Sequence, residues 1–177
     1  MSESSEQARV SVGDVFTQSL VPKLQSHPKR IVFTDGADER ILRVAERMVK
    51  SEIGIPILLG NRQEIHQLAG DLGISLDFVK VLEPSAAGDF EVFCDFLRRT
   101  EHVRGVEISN PEEILRQPAY FGAMMIQYGQ ADGLVGGNQS YPASIFRALL
   151  HLVKPVPSVP RVFSVAILSA SHLAHFG

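Results

Sequence analysis

Cysteine is nearly absent from this chain: Cys94 is the single one among 177 residues, so no disulfide scaffold exists within it and the hydrophobic core must hold the fold. Long apolar runs are missing too. None approaches the roughly 20 residues that span a bilayer, which argues against a membrane helix. There is no basic excess. A formal net charge of -3 offers no general attraction to nucleic acid or anionic lipid, so any basic feature that matters must be local. The N-terminal text MSESSEQAR contains no apolar core of a secretory signal, reads as a short polar tail, and makes a cytoplasmic location the expectation. Cys94 itself lies among Phe90, Phe93, Phe96 and Leu97 at helical spacing, which predicts a buried, inert thiol and not a nucleophile. His172 and His175 stand three apart, but no nearby carboxylate or cysteine completes a ligand set, and no metal is expected.

What is present is an alternation of apolar strands and amphipathic helices. Val12, Val15, Phe16, Leu20 and Leu24 predict a helix over about 12 to 26, ending before Pro28. Arg30 to Phe33 reads as a strand. Asp38 is placed to cap a helix with the apolar face Ile41, Leu42, Val44, Ala45, Met48 and Val49, which Gly54 is expected to stop. Ile55 to Leu59 predicts a second strand, and Asn61 with Glu64 resembles a capping box for a helix carrying Ile65, Leu68, Ala69 and Leu72. Phe78 to Leu82 predicts a third strand. A helix through Phe93, Phe96 and Leu97 follows, and Asn110-Pro111-Glu112-Glu113 supplies a cap, an N1 proline and first-turn acids for another. This order implies an α/β fold with a mostly parallel sheet covered by helices on both faces. Ligands on such sheets bind beyond the carboxyl ends of the strands, here Thr34 to Asp38, Glu83 to Gly88 and Gly136 to Tyr141.

The most informative stretch is Ala119 to Val153. It predicts an apolar helix with Phe121, Met124 and Met125 in the core, a short buried strand over Gly133 to Val135, a glycine turn and a second amphipathic helix. Amides freed by Gly136 and Gly137, the positive end of the following helix and Arg147 within it would together suit an anion such as a phosphate. Asn138 and Gln139 add neutral donors to that cradle or satisfy the loop's own backbone. Arg147 has a plainer reading as a surface arginine whose stem covers Phe146 and Leu150. Asp35 and Asp38 are explained as turn and cap residues, and Asp132 as the end of the turn before Gly133. The glycines lack the spacing and following acid of a dinucleotide fingerprint, so no nicotinamide cofactor is expected. Pro155, Pro157 and Pro160 predict a hinge at 155–160. Residues 1–29 then form a tail and helix, 30–154 a first α/β domain, and 161–177, with an apolar strand over Val162 to Leu168, the start of a second, truncated domain.

The text RIVFTDGADERILRVAERMVKSEIGIPILLGN from Arg30, with YFGAMMIQYGQADGLVGG and an arginine ten residues past Gly137, resembles the phosphate acetyl/butyryltransferase family over roughly residues 30 to 168. The resemblance implies transfer of an acyl group, acetyl or butyryl, between phosphate and coenzyme A. It also implies a fold similar to the isocitrate and isopropylmalate dehydrogenases, with this chain representing the first of two domains. Acyl phosphate and coenzyme A are the implied small-molecule partners, coenzyme A serving as substrate and not cofactor. No nucleic acid or membrane is implied, and homo-oligomerisation stays open. By motif, Arg147 matches a family arginine that acts on the reacting anion, and Arg98 in LRR matches a second one that binds it. Gly136, Gly137, Asn138, Gln139, Ser140 and Ser144 are the implied substrate-binding residues. Arg98 also belongs to a loose cluster with Arg99 and Arg104 that could be a solvated face.

Departures from the family's pattern are local. Ser144 stands where an aspartate is usual, Ala148 where a proline follows the arginine, and Thr34 where proline is common after the first strand. The family's thiol-activating aspartate and its serine and arginine partners are expected in a second half beyond this chain. Two other readings therefore accompany the acyltransferase: a noncatalytic ligand-binding or regulatory domain with an altered phosphate loop, and an assembly partner of another polypeptide.

Overall fold

The computed structural model describes residues 12–99, 109–153 and 158. Helix α1 spans Val12–Ser26 and strand β1 Lys29–Phe33; α2 covers Glu39–Lys50, β2 Gly54–Leu59 and α3 Arg62–Leu72. Strand β3 is Lys80–Leu82, followed by a single 3-10 turn at Pro84–Ala86 and by α4, Phe90–Arg99. The short α5 (Pro111–Leu115), α6 (Pro118–Gln127), β4 (Gly133–Val135) and α7 (Pro142–Leu152) complete the described chain. All four strands are parallel, in the order β3-β2-β1-β4.

The two-residue period of the strands divides the core between the faces of the sheet. Val32, Ile57 and Leu59 point to one side, where Phe93, Cys94 and Leu97 of α4, Phe121, Met124 and Met125 of α6, and Ile145, Ala148 and Leu152 of α7 pack. Phe33 and Leu58 point to the other, against Ile41, Leu42 and Ala45 of α2 and Ile65 and Ala69 of α3. Helices on both faces of a parallel sheet are thus what the apolar pattern predicted. The Phe93 ring meets Phe121 at 5.2 Å between centroids, a tilted contact typical of aromatic pairs in a core. Cys94 is fully buried, and burial raises its thiol pKa, which removes the thiolate a nucleophile requires.

Caps set the helix starts. Asp38 accepts from the Arg40 amide at 2.8 Å, Asn61 from the Glu64 amide at 3.0 Å and Asn110 from the Glu113 amide at 3.2 Å. Several boundaries differ from expectation. Helix α2 ends at Lys50, and the chain turns at Glu52, whose φ is 56°, so Gly54 does not stop the helix but opens β2. Glycine is required there because a Cβ would lie 2.6 Å from Met48 Cε and 2.9 Å from the Lys29 carbonyl oxygen. Val44 faces solvent and leaves the apolar stripe to its neighbours. Phe78 takes a left-handed φ of 62° and is exposed, which delays β3 to Lys80. Strand β4 keeps its predicted bounds but is not buried: it closes one edge of the sheet among the described residues, and Val135 is exposed.

The expected hinge at 155–160 apart from residue 158, the strand over 162–168, His172, His175, Arg104 and the side chains of Val12, Val15 and Phe16 lie outside the described residues. Among those described, no helix is long and apolar enough to cross a membrane.

Candidate functional site: the glycine turn after β4

Because the strands are parallel, the loops after β1, β3 and β4 open at the same end of the sheet. The loop after β4 is pressed closely against its neighbours. A Cβ on Gly136 would fall 2.3 Å from Thr34 Oγ1 and 2.8 Å from Ile145 Cδ1, so only glycine passes between β1 and α7. Gly137 follows at φ 94°, a conformation that side chains disfavour. Pro142 then starts α7 at its first turn, and Tyr141 at the N-cap provides no side-chain cap. Helix α7 carries Arg147.

The turn's amides are not free, contrary to the expectation from sequence. Oδ2 of Asp35 accepts from the Gly137 amide at 3.0 Å and from the Asn138 amide at 2.9 Å. Asp35 is thus more than a turn residue: it reaches the adjacent edge strand's loop, more than 100 residues away in sequence. Arg40 ties the same loop from the other side. Its Nη2 donates to Asp38 Oδ2 at 2.8 Å and to the Asn138 carbonyl oxygen at 3.3 Å, while its Nε donates to Asp38 Oδ1 at 3.1 Å. The start of α2 and the glycine turn are therefore bound into one polar cluster.

Asp38 is buried, and the Arg40 guanidinium beside it, helped by the backbone amides it caps, lowers its pKa to about 2. A carboxylate depressed in the folded state contributes stability that is present above its unfolded pKa of about 3.9 and lost as pH falls through the folded value. Asp38→Ala should cost about 1 kcal/mol at pH 7 through loss of the cap. Thermal unfolding of the two proteins should converge as pH drops from about 5 towards 2. A gap unchanged across that window would contradict this account.

Two hydroxyls at the turn, Thr34 Oγ1 and Ser140 Oγ, are buried and have no hydrogen-bond partner among the described residues. The Ser144 hydroxyl donates to the Tyr141 carbonyl oxygen at 2.6 Å and so closes the first turn of α7. Asn138 and Gln139 are exposed. Arg147 is exposed as well and has no hydrogen-bond or ion-pair partner among the described residues. Its positive charge is felt at Tyr120, where it opposes the rise that burial gives the phenol. Tyr120 in turn lies 3.3 Å from Nδ1 of His151, one helical turn below Arg147.

Gly136, Gly137, Asn138, Gln139 and Ser140 thus share one loop, Ser144 lies in the first turn of the helix that follows it, and the same helix presents Arg147. Arg98 is not joined to them. At the end of α4 its guanidinium pairs with Asp95 at 2.8 Å, with Glu112 of α5 and with Glu91 at 3.8 Å. Glu112 foremost, and then Asp95, raise its pKa. Asp132 also has a role that the sequence did not reveal: with Arg30 it forms a two-point ion pair, at 3.0 Å for each contact, which clamps β4 to β1. The Asp132 carboxyl is thereby lowered to about 2. Asp35, Arg40 and Thr34 are the residues of the turn that sequence reasoning missed. The available signal was the acidic pair Asp35 and Asp38 directly after a strand, which gains meaning only once β1 and β4 are known to be neighbours.

The chain is similar to known proteins in sequence and in fold. A family model described as phosphate acetyl/butaryl transferase matches residues 15–176. A phosphate acetyltransferase of Nitratidesulfovibrio vulgaris is 32% identical over 154 residues, covering 87% of this chain and 22% of the relative. One from Thermoanaerobacterium thermosaccharolyticum is 32% identical over 151 residues, covering 85% of this chain and 45% of the relative. The crystal structure of a phosphotransacetylase from Streptococcus pyogenes superposes with a TM-score of 0.76 at 28% identity, over 85% of this chain and 45% of that one. The chain spans about half the length of these relatives or less.

Proposed function

The chain belongs to the phosphate acetyl/butyryl transferase family, and from that premise we propose that it forms the anion-binding half of an enzyme exchanging an acetyl or butyryl group between phosphate and coenzyme A. The observation that carries this reading is the loop that places Gly136 to Tyr141 at the carboxyl end of a parallel sheet and leads into a helix whose Arg147 has no hydrogen-bond or ion-pair partner among the described residues. In the proposed reaction the coenzyme A thiolate attacks the carbonyl carbon of the acyl phosphate. A carbon–sulfur bond forms, the carbon–oxygen bond to phosphate breaks, and its electron pair leaves with the phosphate. Arg147 supports the departing charge, since a guanidinium matches a phosphate in shape and sign. Transfer is direct within a ternary complex, and proximity of the two substrates supplies much of the rate. The alternative of an acyl-enzyme finds no support at Cys94, which is buried with a raised pKa.

No resident cofactor or metal enters this proposal, and cytoplasmic location and the two substrates are part of it. Arg98 serves in it as a second anion contact only if Asp95 and Glu112 release it, so its contribution is smaller than that of Arg147. The test is thermal unfolding of the 177-residue chain with coenzyme A or acetyl phosphate at millimolar concentration. A ligand present at 100 times its Kd stabilises by about 2.7 kcal/mol, enough to raise the melting temperature by several degrees. No shift with either ligand, the chain being folded, would remove the reading.

A further inference from the structure

The amide pair of the glycine turn already holds an anion, and it is a tethered one. We propose that Asp35 is a specificity-determining residue of this turn: its carboxylate occupies the position where a ligand's anionic oxygen would be received, so that an external anion gains these amides only by displacing it. The inference rests on the reading that the turn receives an anionic group, and it deepens that reading by naming what competes for the place.

The geometry is that of a small anion recess. Two successive amides, Gly137 and Asn138, converge on the single oxygen Asp35 Oδ2 at 3.0 and 2.9 Å, across a glycine with φ 94°. Hydrogen bonds to a charged acceptor are stronger than those between neutral groups, so the carboxylate holds the recess firmly. Asp35 lies two residues beyond the end of β1, whose pairing to β4 continues through the Thr34 amide to the Val135 carbonyl oxygen at 3.0 Å. Its carboxylate therefore acts as an intramolecular ligand with no translational freedom left to lose. Simple monoanions offer the recess no more than Asp35 already gives. A phosphoryl dianion brings additional charge that Arg147 can engage from the adjoining helix, and it is the class of ligand able to win the exchange.

The pinned arrangement is also incompletely satisfied. Thr34 Oγ1 and Ser140 Oγ are buried at this turn without hydrogen-bond partners among the described residues. A rearrangement that withdraws Asp35 can give them partners, which a turn already satisfied throughout would lack.

The experiment is calorimetric titration of the full chain with inorganic phosphate at fixed ionic strength, comparing wild type, Asp35→Asn, Asp35→Ala and Arg147→Ala. Asp35→Asn keeps an oxygen to accept from the amides while removing the charge; Asp35→Ala frees them. Both Asp35 variants should bind phosphate at least about tenfold more tightly than wild type, within the usual range of coupling between competing ligands. A residue that merely shaped the loop could only weaken binding when replaced. Equal or weaker binding by both variants, or failure of both to fold, shows Asp35 to be a structural clip and overturns the proposal. If Arg147→Ala abolishes binding while the Asp35 variants match wild type, the proposal falls and the anion-binding reading stands. If neither wild type nor either Asp35 variant binds phosphate, both fall.

Discussion

Arg147→Ala should lower affinity for acetyl phosphate by about 10- to 100-fold and leave the melting temperature nearly unchanged. The two halves of this expectation come from the same observation. Arg147 is exposed and engages no carboxylate or carbonyl among the described residues, so its removal breaks no hydrogen bond or ion pair with them, and surface substitutions of this kind alter stability by about 0.5 kcal/mol or less. A hydrogen-bonded guanidinium on a phosphate contributes roughly 1.5–3 kcal/mol, which is one to two decades in Kd. Arg147→Lys should recover only part of the loss, because an ammonium retains the charge without the two-pronged geometry. Titration calorimetry with acetyl phosphate measures both variants. An alanine variant that binds like wild type would show the arginine to be a cover for Phe146 and Leu150 and nothing more.

Gly136→Ala is expected to have the largest effect on stability, about 1–3 kcal/mol or more. The added methyl would meet Thr34 Oγ1 at 2.3 Å and Ile145 Cδ1 at 2.8 Å, one neighbour on the strand side and one on the helix side. Neither is the free end of a long flexible chain: Thr34 is β-branched and buried, and Ile145 is fixed in the core between α7 and the sheet. Relief requires α7 to move away from β1, which strains the hold of Asp35 on the turn. Ligand affinity should therefore fall together with stability. Gly137→Ala, where no atom lies closer than 3.5 Å, strains only the backbone and should cost less. Denaturant unfolding of the two variants ranks them; a larger loss for Gly137→Ala would show that the crowding at Gly136 is relieved at little cost.

How much of this was legible in the sequence depends on how local each feature is. Helices α2 and α3 were readable because Asp38 and Asn61 place cap acceptors immediately before apolar residues at helical spacing, and both caps form. The parallel sheet followed from short apolar runs separated by those helices. Phe78 misled because an aromatic before Val79 looks like strand, whereas its left-handed φ depends on how the chain leaves α3. Val135 misled because burial of a strand depends on its position in the sheet, and an order of β3-β2-β1-β4 puts it at an edge. The glycine turn and the helix that carries Arg147 were readable because turn, helix start and arginine are consecutive. Asp35 and its hold on Gly137 were not, since the contact joins residues 102 apart and exists only when β1 pairs with β4. The Arg30 and Asp132 clamp escaped for the same reason. Arg98 was visible as a motif, but its carboxylate partners include Glu112, which belongs to a different helix.

The whole account turns on where an acyl phosphate makes contact with the chain. Amide nitrogen and proton shifts recorded during titration of the 177-residue protein with acetyl phosphate locate that contact directly. The account predicts that the largest changes fall on residues 136–145, with Gly137 and Asn138 foremost and the Arg147 side-chain Nε following. Changes centred on Arg98 and α4 with residues 136–147 undisturbed, or no changes anywhere, would contradict it.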